Sequence, residues 1–237
     1  MSIFIVSDTH GENDHHKLNN DFVYKSCSNS YPDYVIVTGD FGFLWSNIPD
    51  NIEAYWLNWL EQKQFKILFI DGNHENFNRI NNLSSVNMFN SVVGQVSDRI
   101  FHLKRGHIYT IDNKTFFCLG GASSIDKNSR IEGVSWWYEE VPTYADYHLA
   151  LDNLAKVGYK VDYVLTHTCP KHIKSKLFSS FNSHYKLDFN DSTENMLDSI
   201  DERISYKKWL HGHMHLDKSL VIDNKQYTCM YEKGAIV

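Results

Sequence analysis

The stretch Ile3-Phe4-Ile5-Val6-Ser7-Asp8-Thr9-His10 opens the chain and decides its fold. Its first four residues are apolar on both alternating faces, the pattern of a strand buried between two layers rather than one with a wet side. The run then breaks into Asp8 and His10, whose i, i+2 spacing points both side chains to one side of an extended segment. The same phrase returns along the chain. Tyr34 to Thr38 runs into Gly39-Asp40, and Lys66 to Ile70 runs into Asp71-Gly72-Asn73-His74. Val161 to Thr166 runs into His167, and Lys208 to Leu210 leads to Gly212-His213-Met214-His215. In open α/β sheets ligand sites lie beyond the carboxyl ends of the strands, so these strand ends gather the polar groups that matter.

Working outward, the segments between the strands carry helical signals. Ile52 to Gln62 places Ile52, Tyr55, Trp56, Trp59 and Leu60 at helical spacing, which predicts a core-facing stripe. Thr143 follows Pro142 as the expected cap of a helix running to Lys156, and Ser192 to Arg203 is a third helix. Short strands are expected at Phe101 to Leu103, His107 to Ile111 and Thr115 to Leu119, and a hairpin at Ser219 to Ile222 and Gln226 to Met230. The sum is a mixed α/β protein, two packed sheets with helices outside.

The 237 residues fit one globular domain, expected to span 1–237, with a hydrophobic fraction of 42%. A net charge of −6 argues against a general nucleic-acid binder, whose footprint would be basic. Cys27, Cys118, Cys169 and Cys229 show no CxxC spacing and are expected to be free thiols. The apolar start is too short for a signal peptide, and no run approaches a membrane span, so a cytoplasmic protein is expected.

Asp8, His10, Asp40, Asn73, His167, His213 and His215 offer oxygen and imidazole donors without a thiolate. Such a set suits manganese, iron, zinc or related divalent ions. The motifs Asp8-Thr9-His10, Gly39-Asp40, Gly72-Asn73-His74-Glu75, Thr166-His167 and Gly212-His213-Met214-His215 resemble, in order, those of the calcineurin-like metallophosphoesterases. The resemblance implies a four-layer αββα sandwich and two divalent ions, manganese first, with iron, zinc or magnesium as alternatives. It implies that Asp8, His10 and His215 hold one ion, that Asn73, His167 and His213 hold the other, and that Asp40 bridges them. His74 takes the family's catalytic position. The implied reaction is attack of a metal-bridging hydroxide on a phosphodiester or phosphomonoester, a nucleotide among the candidates, with His74 as general acid.

The segment after Asp40, Phe41-Gly42-Phe43-Leu44-Trp45, contains no arginine, where serine/threonine protein phosphatases of this superfamily carry one that grips phosphate. The compact plan is closer to the small bacterial and phage members. Trp45, Arg130 and Trp136 are the expected substrate-binding residues, the last two within the long connection from Gly120 to Glu140. His15 and His16 are secondary candidates to reach substrate. The remaining histidines, His102, His107, His148, His172, His184 and His211, need no function, and Glu75 is expected to support its neighbours. Two other functions compete: a non-enzymatic scaffold, opposed by the intact donor set, and a nuclease, opposed by the acidic balance.

Overall fold

The computed structural model describes residues 2–179 and 191–237; His184 lies outside them. The first sheet begins with three parallel strands, β1 (Ile3–Val6), β2 (Tyr34–Thr38) and β3 (Lys66–Ile70). It continues through a hairpin, β4 (Ser84–Met88) and β5 (Ser91–Gln95), to β6 (Ile100–Leu103), which returns beside β3 in parallel. The second sheet contains β7 (His107–Ile111), β8 (Lys114–Leu119), β9 (Tyr163–Thr166), β10 (Lys208–His211), β11 (Lys218–Ile222) and β12 (Lys225–Cys229). A final short strand, β13 (Ala235–Ile236), closes back on β1. The sheets have seven and six strands, in the orders β13-β1-β2-β3-β6-β5-β4 and β11-β12-β10-β9-β8-β7.

The two-residue side-chain period explains the layers. Ile3, Ile5, Ile36, Leu68 and Ile70 turn inward to meet Phe116, Cys118, Leu165 and Leu210 of the other sheet. Phe4, Val6, Val35, Val37, Ile67 and Phe69 turn outward beneath helices α1 (Asn20–Ser26) and α2 (Asn51–Glu61). A single-turn helix, α3 (Phe77–Ile80), follows β3. On the opposite side Phe117, Leu119, Val164 and Trp209 pack under α4 (Tyr144–Lys156), α5 (Lys171–Phe178) and α6 (Ser192–Asp201). The result is the αββα sandwich. Both faces of each central strand are dry, which is why their sequences are apolar throughout.

Several details depart from the sequence expectations. In α2, Leu60 is buried and Trp56 and Trp59 pack on the core, but Ile52 and Tyr55 are exposed. Ile52 borders a cleft and not the sheet, and Tyr55 faces solvent. Helix α6 stops at Asp201, short of Arg203, and the first residues of the Val161 strand lie before β9. The β4–β5 hairpin turns at Phe89 and Asn90, both with positive φ (57° and 60°), without the glycine that marks such turns. Thr143 does cap α4, in a capping box with Asp146.

A buried charge cluster ties the sheets to the long connection after β8. Asp71 accepts hydrogen bonds from Arg105 Nε at 2.7 Å and His102 Nε2 at 3.0 Å. Arg105 also donates to the carbonyls of Glu139 and Glu140. Burial would raise the Asp71 carboxyl, but Arg105 and His102 hold it far below the usual range. Arg105→Ala is therefore expected to destabilise the protein by about 3–5 kcal/mol, by stranding a buried carboxylate. Because the folded pKa is depressed, this contribution exists above the ordinary aspartate pKa and is lost on acidification. Urea denaturation should show the gap between variant and parent closing below about pH 4.

Candidate metal and phosphoester site

The polar strand ends converge between the two sheets. Asp8 and Asp40 are almost wholly removed from solvent, at 0% and 1% exposure. Asp40 faces both ways: its Oδ2 lies 3.2 Å from His10 Nε2 and its Oδ1 lies 3.3 Å from His167 Nε2. Asp8 Oδ1 is 3.5 Å from His215 Nε2, and both its oxygens accept from the His213 amide. Asp40 Oδ1 also accepts from the His74 amide at 2.7 Å. Two groups have donor atoms close enough to share an ion: Asp8 with His10 and His215, and Asp8 with Asp40 and His167.

The backbone is bent to aim these groups. Asp8, His10, Asp40, His213 and His215 all sit in the left-handed region, with φ between 44° and 63°. For residues with a Cβ this conformation is costly and is kept where the surroundings enforce it. Gly72 and Gly212 allow the strand ends to touch. A Cβ on Gly72 would collide with Asp40 Oδ1, and one on Gly212 with Ser7 Oγ and Asp8 Oδ2.

Four of the candidate donors, His10, Asn73, His167 and His215, are also oriented from behind. His167 Nδ1 donates to the Thr38 carbonyl at 3.0 Å, which turns Nε2 toward Asp40 and Asn73 Oδ1. His10 Nδ1 lies 2.9 Å from Asp14 Oδ2, with the same consequence for its Nε2. Asn73 Nδ2 donates to Ser124 Oγ at 3.0 Å, and Ser124 Oγ donates to Glu140 at 2.7 Å. That relay fixes the Asn73 oxygen toward the site. His215 stacks on Tyr231 at 4.3 Å and 10°. Beneath Asp8 the buried Lys17 ammonium donates to the Asp8 carbonyl at 2.8 Å. Glu75 accepts from the amides of Phe41 and Gly42, bracing the loop after Asp40.

The electrostatics show how strongly the site attracts positive charge. Burial opposes ionisation of Asp40, yet the His167 charge and the His10 hydrogen bond hold it well below the usual carboxylate range. Asp8 is lowered against its burial by His215 and His167. Burial likewise opposes the charged forms of His10 and His167, but Asp40 prevails and lifts them to about 9 and about 10. His213, buried and beside His167, falls to about 3 and keeps its lone pair. Two buried carboxylates are drawing protons onto adjacent imidazoles, and divalent cations would satisfy the same demand. Two carboxylates, one carboxamide and four imidazoles, gathered at strand ends around the buried Asp8 and Asp40, fit such ions.

Beside this cluster a cleft of about 370 Å³ is lined by His10, His74, Arg130, Phe43, Trp45 and Trp56, among others. The His74 ring lies 5.6 Å from that of His10, and Arg130 Nη1 lies 2.9 Å from His74 Nδ1. Arg130 is held by Asp126 at 2.7 Å. The structure thus brings Trp45 and Arg130 to the cleft. It does not bring Trp136, which packs edge-on against Tyr138 at 4.4 Å. His15 packs at a tilt on Trp56 at 4.8 Å and His16 pairs with Glu232 at 3.4 Å, and neither lines the cleft itself. Cys169 is buried and its thiol is pushed well up by burial. The supporting residues Asp14, Lys17, Ser124, Glu140 and Tyr231 carried no sequence signal beyond the i, i+4 spacing of His10 and Asp14.

This fold and donor set define a metal-dependent phosphoesterase. Residues 1–217 match the calcineurin-like phosphoesterase family, and the chain belongs to it. Its fold is similar to that of phosphopantetheinyl hydrolase from Mycobacterium tuberculosis, at 15% identity over 97% of this chain and 89% of that one, with a TM-score of 0.50. A looser similarity, with a TM-score of 0.41 and 12% identity, is to a Thermus thermophilus sulfate thiohydrolase, over 89% of this chain and 36% of that one. No curated protein matches the sequence. Among the described residues, no helix is long and apolar enough to cross a membrane.

Two outcomes follow for metal uptake. Because His10 and His167 hold protons in the metal-free site up to about pH 9 and 10, ion binding must expel them, and affinity should rise with pH. Calorimetric titration with manganese at pH 7.5, in two buffers of different ionisation heat, should register proton release; a heat independent of buffer would contradict it. Ser124→Ala should weaken metal binding by about 10–100-fold by freeing the Asn73 amide.

Proposed function

We propose that the protein hydrolyses a phosphodiester or phosphomonoester at a dinuclear metal centre. The carrying observation is the buried Asp40 carboxylate, whose two oxygens face His10 and His167 separately. Asp40 would therefore serve both positions, with Asp8, His10 and His215 holding one ion and Asn73, His167 and His213 the other. Manganese suits this oxygen- and imidazole-rich set. When bound, the two ions supply charge stabilisation at the phosphoryl oxygens and a nucleophile from water at neutral pH.

The chain's own residues do the rest. His74 stands at the junction of the donor cluster and the cleft, held by its amide to Asp40 and by its ring to Arg130. From there it protonates the leaving oxygen. Burial, with help from Arg130, lowers its pKa in the free protein against the pull of Asp40. A phosphoester's negative charge arriving beside it counters both effects and restores the proton. Arg130 hydrogen-bonds a non-bridging oxygen. It is the one guanidinium among the described cleft-lining residues, which favours the single charge of a diester over a dianion. The four cysteines are free and buried, in keeping with a reducing cytoplasm.

The test is turnover of bis-p-nitrophenyl phosphate and p-nitrophenyl phosphate by protein of measured metal content, with manganese added. Hydrolysis of the diester is expected to dominate; no turnover of either ester by the metal-loaded protein would overturn the assignment. His74→Ala should lower kcat by about 10²–10⁴-fold with metal content retained. Asp40→Ala should empty both positions, and an unchanged metal stoichiometry would show that Asp40 is not the bridge.

A further inference from the structure

The cleft has an apolar wall that chemistry at phosphorus does not use. Besides His10, His74 and Arg130 it is lined by Phe43, Trp45, Ile52 and Trp56. This wall is built to stay in place. The Trp45 carbonyl accepts from Asn76 Nδ2 at 2.7 Å, and the same amide reaches Asn47 Oδ1 at 3.0 Å. Asn76 is fully buried and caps α3, two residues after His74. The Trp45 indole meets the buried Trp137 edge-on at 5.6 Å, yet Trp45 remains 36% exposed. Asn47 Nδ2 also donates to the Gly133 carbonyl at 3.0 Å, so the Trp45 segment and the Arg130 segment are tied together. One network therefore holds a phosphate-facing guanidinium and an aromatic ledge at a fixed separation.

The cleft carries both signs of charge. Glu12, Asp50 and Glu53 also line it. Glu53 is paired with Arg79 at 2.7 Å, and Asp50 caps α2 through the Glu53 amide at 2.8 Å. The exposed Glu12 carboxylate is left as an acceptor, with the Asn13 carboxamide beside it in sequence. A second phosphate would be repelled there, whereas N–H donors would be welcomed. A volume of about 370 Å³ accommodates one small organic group. Planarity for the ledge, N–H donors for the carboxylate and a single phosphoryl group for Arg130 together describe one class of molecule.

We propose that the cleft recognises the nucleoside part of a phosphoester carrying one phosphoryl group, with the base laid on Trp45 and its N–H groups toward Glu12. This deepens the phosphoesterase assignment of the same site and rests on it. The test is calorimetric titration of the manganese-loaded full chain with adenosine 5′-monophosphate and with glycerol 3-phosphate, which share the phosphate and differ in the base. Base-on-aromatic stacking makes the expected preference for the nucleotide about ten-fold or more. In Trp45→Ala the ratio of the two affinities should fall toward one, and Trp45→Phe should keep most of it. Equal affinities in the parent protein, no binding of either ligand, or an undiminished ratio in Trp45→Ala would overturn the proposal. Turnover of bis-p-nitrophenyl phosphate separates the two assignments. A protein that hydrolyses it but treats both phosphates alike loses only the nucleoside inference. One that prefers the nucleotide but hydrolyses no ester loses only the hydrolase assignment.

Discussion

Two carboxylates, Asp8 and Asp40, are removed from water side by side, and the rest of the site is arranged around that cost. An isolated buried carboxylate is strongly unfavourable, and a like-charged neighbour makes it worse. The chain answers with imidazoles on either side of Asp40, the His74 and His213 amides, and the Lys17 ammonium under the Asp8 carbonyl. These partners ease the cost without removing the demand for further positive charge. A site of this kind selects divalent cations by its donors and its burial together.

The left-handed backbone at five of the candidate donors belongs to the same balance. Strand ends would ordinarily splay their side chains. Here tight turns fold them back toward the gap between the sheets, and Gly72 and Gly212 let the carboxylates lie directly against neighbouring backbone. Conformational strain is accepted where it concentrates charge, and the dry strands on both sides keep the turns from relaxing.

Much of the fold was legible because the central strands are apolar on both faces, a pattern that a helix or a half-wet strand cannot copy. The β4–β5 hairpin was not, because Ser84-Ser85-Val86-Asn87-Met88 is half polar and its turn uses Phe89 where glycine would have signalled it. The α2 stripe does not hold at Ile52 and Tyr55, since periodicity cannot tell a face that meets the core from one that borders a cleft or solvent. The candidate donors were readable as residue types in order. Their supports were not: Thr38 holds His167 across 129 positions, and Ser124 holds Asn73 across 51. Trp45, Trp136 and Trp137 look equivalent in sequence, yet one lines the cleft, one packs on Tyr138 and one is buried.

The donor set is shared between the sheets. Asp8, Asp40 and Asn73 end strands of the seven-stranded sheet, whereas His167, His213 and His215 follow strands of the six-stranded one. An ion held by both groups would act as a rivet through the middle of the sandwich, clasping segments more than two hundred residues apart in sequence, such as Asp8 and His215. Cross-links that close long loops remove much of the freedom of the unfolded chain. The same atoms that ready a phosphoester for cleavage would thus fasten the two halves of the sandwich, so that loading the ion and completing the tertiary structure become one event.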